Sequence, residues 1–354
     1  MKTYRIAVIA GDGIGKEVIP AGINVLNRAA DEGGFRLELT DLPWGCDYYL
    51  QTGRMLDADG VDRLLTFDAV YLGAIGDPRV ADHISARELI LPLRQKLRQY
   101  VNLRPMRLLS GITSPLANRG PADIDMICVR ENSEGEYCGI GGRLHAGTPQ
   151  ELAEQTGVFT RHGIERIARY AFTLAASRPR RMLASATKSN ALQHVMVLWD
   201  EVVAEVAKEF PQVELRKYHV DALCARMVTH PQTLDVIVAS NLFGDILTDV
   251  GSAISGSLGV APGGNINPDR TTPSMFEPIH GSAPDIAGRG IANPIAAIWA
   301  GAMMLDHLGE RGAHDRILRA IEAVIADETV RTPDLGGRAT TADMARAVTA
   351  AMQS

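Results

Sequence analysis

The sequence predicts an α/β protein, and three observations carry that expectation. Short β-branched runs alternate with stretches of helical period along most of the chain. Of its 354 residues, 46 % are hydrophobic, which is enough for one or two cores and too much for a disordered chain. No internal repeat or low-complexity tract interrupts the alternation.

From the N-terminus, YRIAVIA (from Tyr4) is the first strand. Its apolar run, Ile6 to Gly11, stops at Asp12 and is too short for a signal peptide. Helical period follows from about Ile14 to Ala30, and FDAVYLG (from Phe67), IDMICVR (from Ile124), RMLASA (from Arg181) and LDVIVAS (from Leu234) are further strands. Helices are expected over about Gly163–Ala176, Asn190–Lys208 and Pro294–Leu308, with two more, Ala313–Asp327 and Thr341–Met352, closing the chain. Tyr137 to Pro149 is glycine-rich and without helical period, the pattern of a functional loop, an interaction arm or a loose surface loop.

Net charge is −6, spread without long blocks of one sign, so nothing calls for nucleic acid or a membrane surface. No apolar stretch approaches the roughly 20 residues of a membrane span. Cys46, Cys128, Cys138 and Cys224 form no CxxC pair and read as reduced cysteines of a cytoplasmic protein, neither a disulfide frame nor a zinc site.

The strongest local signal is NLFGDILTD, residues 241–249. Asp245 and Asp249 share a helix face, and two adjacent carboxylates repel unless a proton or cation lies between them. Mg2+ or Mn2+ takes such oxygen ligands. A solvated acidic face gives the same pattern, but position just beyond a strand favours a ligand site. The small-residue run GSAISGSLGVAPGGN (251–265) is expected to let backbone approach that ligand. Arg94, Arg104 and Arg130 lie near strand or helix ends, where guanidinium forks would suit a dicarboxylate; each alone also reads as a surface charge. Lys188 in ATKSNAL is a candidate base and Tyr137 a candidate proton donor, against the plainer readings of an exposed lysine and a packed aromatic. HGSAPDIAGRGIANP (280–294) describes a tight loop with free amide donors, suited to a nucleotide. Asp285 there would accept from a ribose 2′-hydroxyl and favour NAD over NADP, while Arg289 argues the other way. GDGIGKEV (11–18) is GxGxG rather than GxGxxG, so a glycine turn follows from it and a Rossmann fold does not.

Together IAVIAGDGIGKEV, VNLRP (101–105), VRENSEGEY (129–137), TKSN (187–190), NLFGDILTD and EPIHGSAPDIAGRGIANP (277–294) resemble the β-decarboxylating dehydrogenases. That family includes isocitrate, 3-isopropylmalate and tartrate/D-malate dehydrogenases, and RENSEGEYCGIGGRLHAGT looks most like the tartrate/D-malate branch. The resemblance covers nearly the whole chain. It implies an isopropylmalate-dehydrogenase-like fold of two α/β domains around a cleft. Residues 1–104 with 256–354 would form the cofactor side. Residues 105–255 would form the substrate, metal and dimerisation domain, with an interlocking arm at about 137–150.

The resemblance further implies that Arg94, Arg104 and Arg130 hold substrate carboxylates and that Asn190 positions substrate and nicotinamide. Asp245 and Asp249, with Asp221 of the partner subunit, would bind Mg2+ or Mn2+. Lys188, also the partner's, would take the hydroxyl proton, and Tyr137 would protonate the product carbanion. Ile14, Ala74, His280, Gly281, Ser282, Ala283, Asp285, Ile286 and Asn293 would hold NAD, and a monovalent cation such as K+ is a further expected cofactor. The expected enzyme is a homodimer with shared active sites. In this family the helix before Arg94, here SARELILPLR (85–94), reads the substrate's third carbon. Glu88 and Ile90 replace the serine and asparagine of the isocitrate branch. Ile90 and Leu91 keep the apolar surface of the isopropylmalate branch, but Arg87 replaces its glutamate. The expected substrates are therefore D-malate and tartrate, with 3-isopropylmalate second. A non-catalytic regulatory subunit would be expected to lack some of Lys188, Tyr137, Asp221, Asp245 and Asp249, all present here.

Overall fold

The computed structural model describes residues 1–353. Among them, ten strands form one sheet and two more a separate ribbon. The strands are β1 (Lys2–Gly11), β2 (Phe35–Asp41), β3 (Ala69–Ala74), β4 (Val101–Arg107), β5 (Asp125–Glu131), β6 (Gly141–Leu144), β7 (Leu152–Gln155), β8 (Met182–Thr187), β9 (Glu214–His219), β10 (Val236–Ala239), β11 (Pro262–Ile266) and β12 (Ser274–Pro278). The large sheet has the order β2-β1-β3-β12-β11-β4-β5-β10-β8-β9.

Two groups of parallel strands meet in this sheet. β2, β1, β3 and β12 run parallel, so the turns after β1, β3 and β12 open on one edge. β5, β10, β8 and β9 are likewise parallel. Antiparallel pairing of β12 with β11, β11 with β4 and β4 with β5 joins the groups. Ligands of open α/β sheets bind beyond the carboxyl ends of strands. Arg130 is the last residue but one of β5, and Lys188, Asp221 and Asn241 closely follow β8, β9 and β10.

The central strands are buried on both faces, which is why they read as continuous apolar runs. Side chains alternate across the sheet, so Ile6 and Val8 enter the larger core and Ala7 and Ile9 a smaller one. The larger core packs helices Gly15–Gly33, Arg161–Ser177, Val195–Ala207, Ile295–His307 and Arg311–Asp327 against the sheet. In the smaller core Trp44, Met55 and Leu64 meet Leu89 and Leu93 of the segment before Arg94. That segment is a π-helical turn, Ala86–Ile90, running into a short helix, Leu91–Lys96. Pro92 has no N–H to return to the preceding turn, and the Leu91 N–H reaches back five residues to Ala86.

Most expected helices fall within three residues of their places, Thr341–Ala351 included. One does not: the helix expected from Asn190 begins at Val195. The amides of Ala191 and Leu192 turn back to the Lys188 carbonyl at 2.9 and 2.8 Å and keep residues 188–192 in a tight turn. The excursion from Tyr137 is likewise more regular than expected. It becomes the antiparallel ribbon β6–β7, exposed throughout, and runs on to Gln155. No helix of the described residues is long and apolar enough to cross a membrane, and all four cysteines are free.

Candidate active site

Three arginines are buried where the sequence offers few anions to meet them. Arg130 is 1 % exposed, Arg104 6 % and Arg94 8 %. A buried guanidinium must be paired and hydrogen-bonded, and for Arg130 and Arg104 partners come from helix Asn241–Ile254, which begins two residues after β10. Arg130 donates to Asn241 Oδ1 through Nε at 3.0 Å and Nη2 at 2.7 Å, and through Nη1 to Asp245. Arg104 donates through Nη1 to Thr248 Oγ1 at 2.7 Å and lies 3.4 Å from Asp245. Pairing of β4 with β5 sets Asn102 opposite Arg130, and Arg104 is two residues further along the same face. Tyr137 donates its hydroxyl to the other oxygen of Asp245 at 3.0 Å, and its ring lies 5.5 Å from the Arg130 guanidinium carbon.

The helix lies this close because of its glycines. A Cβ at Gly244 would stand 2.6 Å from Arg130 Cγ, and one at Gly251 would collide with Met106 of β4. The small-residue run from 251 was expected to admit a ligand. Two of its glycines admit the protein's own strands: Gly251 faces Met106 of β4, and Gly264 in β11 faces Phe276 of β12.

Arg94 reaches the same group through a chain of buried polar side chains. It donates to Glu277 Oε1 at 3.1 Å, Glu277 accepts from Asn265 at 2.7 Å, and Asn265 Oδ1 accepts from Asn102 at 2.8 Å and Asn132 at 2.9 Å. Asn102 closes the chain by accepting Arg104 Nε at 2.6 Å. The excess of cations has its expected effect. Burial, reinforced by Arg104, pulls the Arg130 pKa down to about 10. Burial also pushes the Asp245 carboxyl upward, but Arg130 and Arg104 outweigh it and hold it below the usual range. Asp249 moves the other way: burial and the charge of Asp245 raise it. Burial, then Asp245, raises the Tyr137 hydroxyl.

Asp249 makes no side-chain hydrogen bond or ion pair among the described residues, unlike Asp245. The two carboxylates on one face therefore suit a divalent ion, but no group of three His, Cys, Asp or Glu among the described residues could hold a metal. Asp221 is elsewhere. It pairs with Lys188 at 2.6 Å, an exposed contact that lowers the Asp221 carboxyl. Asn190 is exposed in the turn after Lys188.

At the opposite group of strands, the Ile14 amide donates to the Ser282 carbonyl at 2.9 Å and the Asp12 amide to the Ala74 carbonyl at 2.7 Å. The turns carrying Ile14, Ala74 and Ser282 are thus brought together beyond β1, β3 and β12. Gly281 and Asp285 are exposed on this edge, and Ala283 adopts a left-handed φ of 41°. Burial lowers the pKa of His280, whose Nδ1 faces the Gly281 carbonyl at 3.0 Å. Asn293 Oδ1 accepts the Ile295 amide at 3.0 Å just before helix Ile295–His307, and Asn293 Nδ2 donates to Asp334 at 3.0 Å. The loop has fewer free amides than expected, because those of Ile286, Ala287, Gly288 and Arg289 are already bonded.

Comparison with known proteins gives the family. A model of the family described as isocitrate/isopropylmalate dehydrogenase matches residues 5–348. The chain belongs to the isocitrate/isopropylmalate dehydrogenase family. It is 55 % identical to D-malate dehydrogenase [decarboxylating] of Escherichia coli over 98 % of both chains. Identity to tartrate dehydrogenase/decarboxylase of Pseudomonas putida is 50 %, over 98 % of this chain and 97 % of that one. The crystal structure of isocitrate dehydrogenase from Methylococcus capsulatus superposes with a TM-score of 0.90 at 37 % identity, covering 99 % of this chain and 100 % of the other.

For this member of the isocitrate/isopropylmalate dehydrogenase family, sequence reasoning had singled out Arg94, Arg104, Arg130, Tyr137 and Asp245, which meet in space, with Asp249 one helical turn from Asp245. Lys188, Asn190 and Asp221 stand apart from them. Sequence reasoning passed over Asn102, Asn241, Thr248, Asn265 and Glu277. Asn102 and Glu277 lie inside the quoted motifs VNLRP and EPIHGSAPD, but an asparagine or glutamate in a strand gives no signal until its cross-strand neighbour is known. Arg87 lies exposed over a hollow of about 460 Å3, with Gly139, Gly141 and Glu154 of the ribbon segment on the other side.

Proposed function

We propose that this chain is an NAD-dependent, divalent-metal-dependent dehydrogenase of 2-hydroxy dicarboxylic acids, oxidising D-malate with loss of CO2 to pyruvate and also oxidising tartrate. One observation carries the reading: two nearly inaccessible arginines and a tyrosine hydroxyl converge on Asp245. Such an arrangement suits a dianion that would replace the aspartate as acceptor of the guanidinium forks. Arg94, Arg104 and Arg130 would fix the substrate carboxylates, and fixed geometry removes orientational entropy from the barrier. Asp245, released from pairing with Arg104 and Arg130, would join Asp249 in holding Mg2+ or Mn2+ with the partner subunit's Asp221. When bound, the metal supplies Lewis-acid polarisation of the oxygen at C2 and NAD accepts the hydride. The partner subunit's Lys188 would take the hydroxyl proton. Tyr137, whose hydroxyl stays protonated well above neutrality, would return a proton to the carbon that loses CO2. The 280–293 loop with Ile14 and Ala74 would hold NAD, with Asp285 facing the ribose. The exchange of Lys188 and Asp221 makes the working unit a homodimer.

The relatives named D-malate dehydrogenase [decarboxylating] and tartrate dehydrogenase/decarboxylase support this substrate class. The test is NADH formation by purified protein with Mn2+ on D-malate, L(+)-tartrate, 3-isopropylmalate and isocitrate, with CO2 followed in parallel. Turnover of D-malate with matching CO2 is expected. Preference for 3-isopropylmalate would keep the chemistry and overturn the reading of residues 85–94. Inactivity on all four would return the chain to a non-catalytic role.

A further inference from the structure

The motif GDGIGKE does not form a phosphate cradle of the GxGxxG kind, yet its last residue makes a contact across the whole length of the chain. The Gly288 amide donates to Glu17 Oε1 at 2.5 Å, between residues 271 apart in sequence. Gly288 sits in the far half of the 280–293 loop, where φ is left-handed at both Gly288 (78°) and Gly290 (64°). Ile286, Ala287 and Ala292 pack against the larger core, but Gly288 and Gly290 between them bring no side chain to it, so their place depends on the groups that bond their backbone. The structure supplies them from two helices. On one side stand Glu17 and the Ile14 amide, the latter bonded to the Ser282 carbonyl at 2.9 Å. On the other, the start of helix Thr341–Ala351 receives Gly290 and Ala292, through Thr341 N at 2.9 Å and Thr341 Oγ1 at 2.6 Å. Glu17 is the only charged side chain among these anchors, and its second oxygen is buried without a hydrogen-bond partner among the described residues. An ionised carboxylate makes a stronger hydrogen bond to a backbone amide than a neutral acceptor does.

We infer that Glu17 is a positioning residue for the dinucleotide, acting through the loop and not by touching the cofactor. Held at Gly288, the loop presents Asp285 and Ile286 in the place where the ribose and base are expected. Released, it samples other positions, and the dinucleotide must pay to order it on binding. The inference rests on the NAD reading above.

The test compares Glu17→Ala and Glu17→Gln with the unaltered protein in two measurements: NADH binding by calorimetry, and initial rates with NAD and D-malate varied separately. In Glu17→Ala, NADH Kd and the KM for NAD are expected to rise about tenfold, the size of one lost hydrogen bond to a charged group. The kcat and the KM for D-malate are expected to stay within about twofold of the unaltered values, because the arginine group lies on other strands. Glu17→Gln keeps an oxygen acceptor for Gly288 and is expected to recover most of the loss. A rise in the KM for D-malate, a fall in kcat at saturating NAD, or equal NADH affinity in both variants and the parent would overturn the inference. Absence of NADH binding by the unaltered protein would overturn the NAD reading itself and this inference with it.

Discussion

Replacing Gly244 by alanine tests whether the seating of helix Asn241–Ile254 sets the reaction geometry. The new Cβ would stand 2.6 Å from Arg130 Cγ, 2.7 Å from its Cβ and 3.1 Å from its Cδ. Carbon atoms rest comfortably about 3.5–4 Å apart, and a new Arg130 rotamer would leave the contact with its backbone-fixed Cβ in place, so the helix and β5 must separate by about 1 Å. The fork that Arg130 directs at Asn241 and Asp245 is then displaced, because both acceptors lie on the helix that moves. Overpacking of this kind costs about 1–3 kcal/mol of stability. A shift of about 1 Å in a positioned group costs roughly a hundredfold in rate. The assay is NADH formation from D-malate at saturating NAD and Mn2+, with thermal denaturation in parallel. A folded Gly244→Ala protein working within twofold of its parent would refute the reasoning, since the contact would then be absorbed without moving the site.

Other outcomes follow from the same geometry. Tyr137→Phe removes the hydroxyl bonded to Asp245 and is expected to lower kcat by about 10²-fold or more, with both KM values within a few fold; steady-state rates decide it, and unchanged kcat would clear the tyrosine of proton transfer. Lys188→Ala and Asp245→Asn are each expected to abolish turnover. Mixed, unfolded and refolded together, they should recover about a quarter of parental activity, because half of random dimers carry one intact shared site; no recovery would mean that Lys188 serves its own chain. Burial, then Arg270, lowers the pKa of His307 to about 4 from an ordinary value of 6.5. The unfolded chain therefore takes up a proton below pH 6.5 that the fold refuses, so this contribution to stability is intact above that pH and is lost as pH falls toward 4. The loss is expected to be about 2 kcal/mol after allowance for partial exposure. Urea denaturation at pH 7.5 and 4.5 should show a smaller drop for His307→Gln than for the parent, and equal drops would exclude His307 as the cause.

The strands readable in the sequence were those buried on both faces, such as Met182–Thr187 and Val236–Ala239, because burial selects unbroken aliphatic runs. β11 (PGGNI) and β12 (SMFEP) were not read as strands: a proline and two glycines hide β11, β12 is a short run that ends in a glutamate and a proline, and their outer neighbours β4 and β3 are distant in sequence. β9 (ELRKYH) was missed because it is a half-exposed edge strand with polar side chains. Within the site, Asp245 and Asp249 could be placed together by helical arithmetic alone. That Asp245 is engaged by two arginines and a tyrosine while Asp249 stands free depends on strand register, which no local pattern carries. Lys188 was legible as a candidate base from its place just after a strand, Asp221 only through the resemblance, and their mutual ion pair came only from the fold.

The segment 85–94 is rooted among Trp44, Met55 and Leu64, whereas Arg130 and the 241–254 helix are fixed against the other core. A descendant of this protein can therefore alter what fits against Ile90 or Arg87 and absorb the disturbance in a small, separate body of side chains. The carboxylates of Asp245 and Asp249 and the guanidinium forks of Arg104 and Arg130, which lie on other elements, would be inherited unmoved. Diversification of diet in such a lineage is cheap at the rim and forbidden at the centre, which gives a mechanical reason for one scaffold to underlie relatives named for D-malate, tartrate and isocitrate.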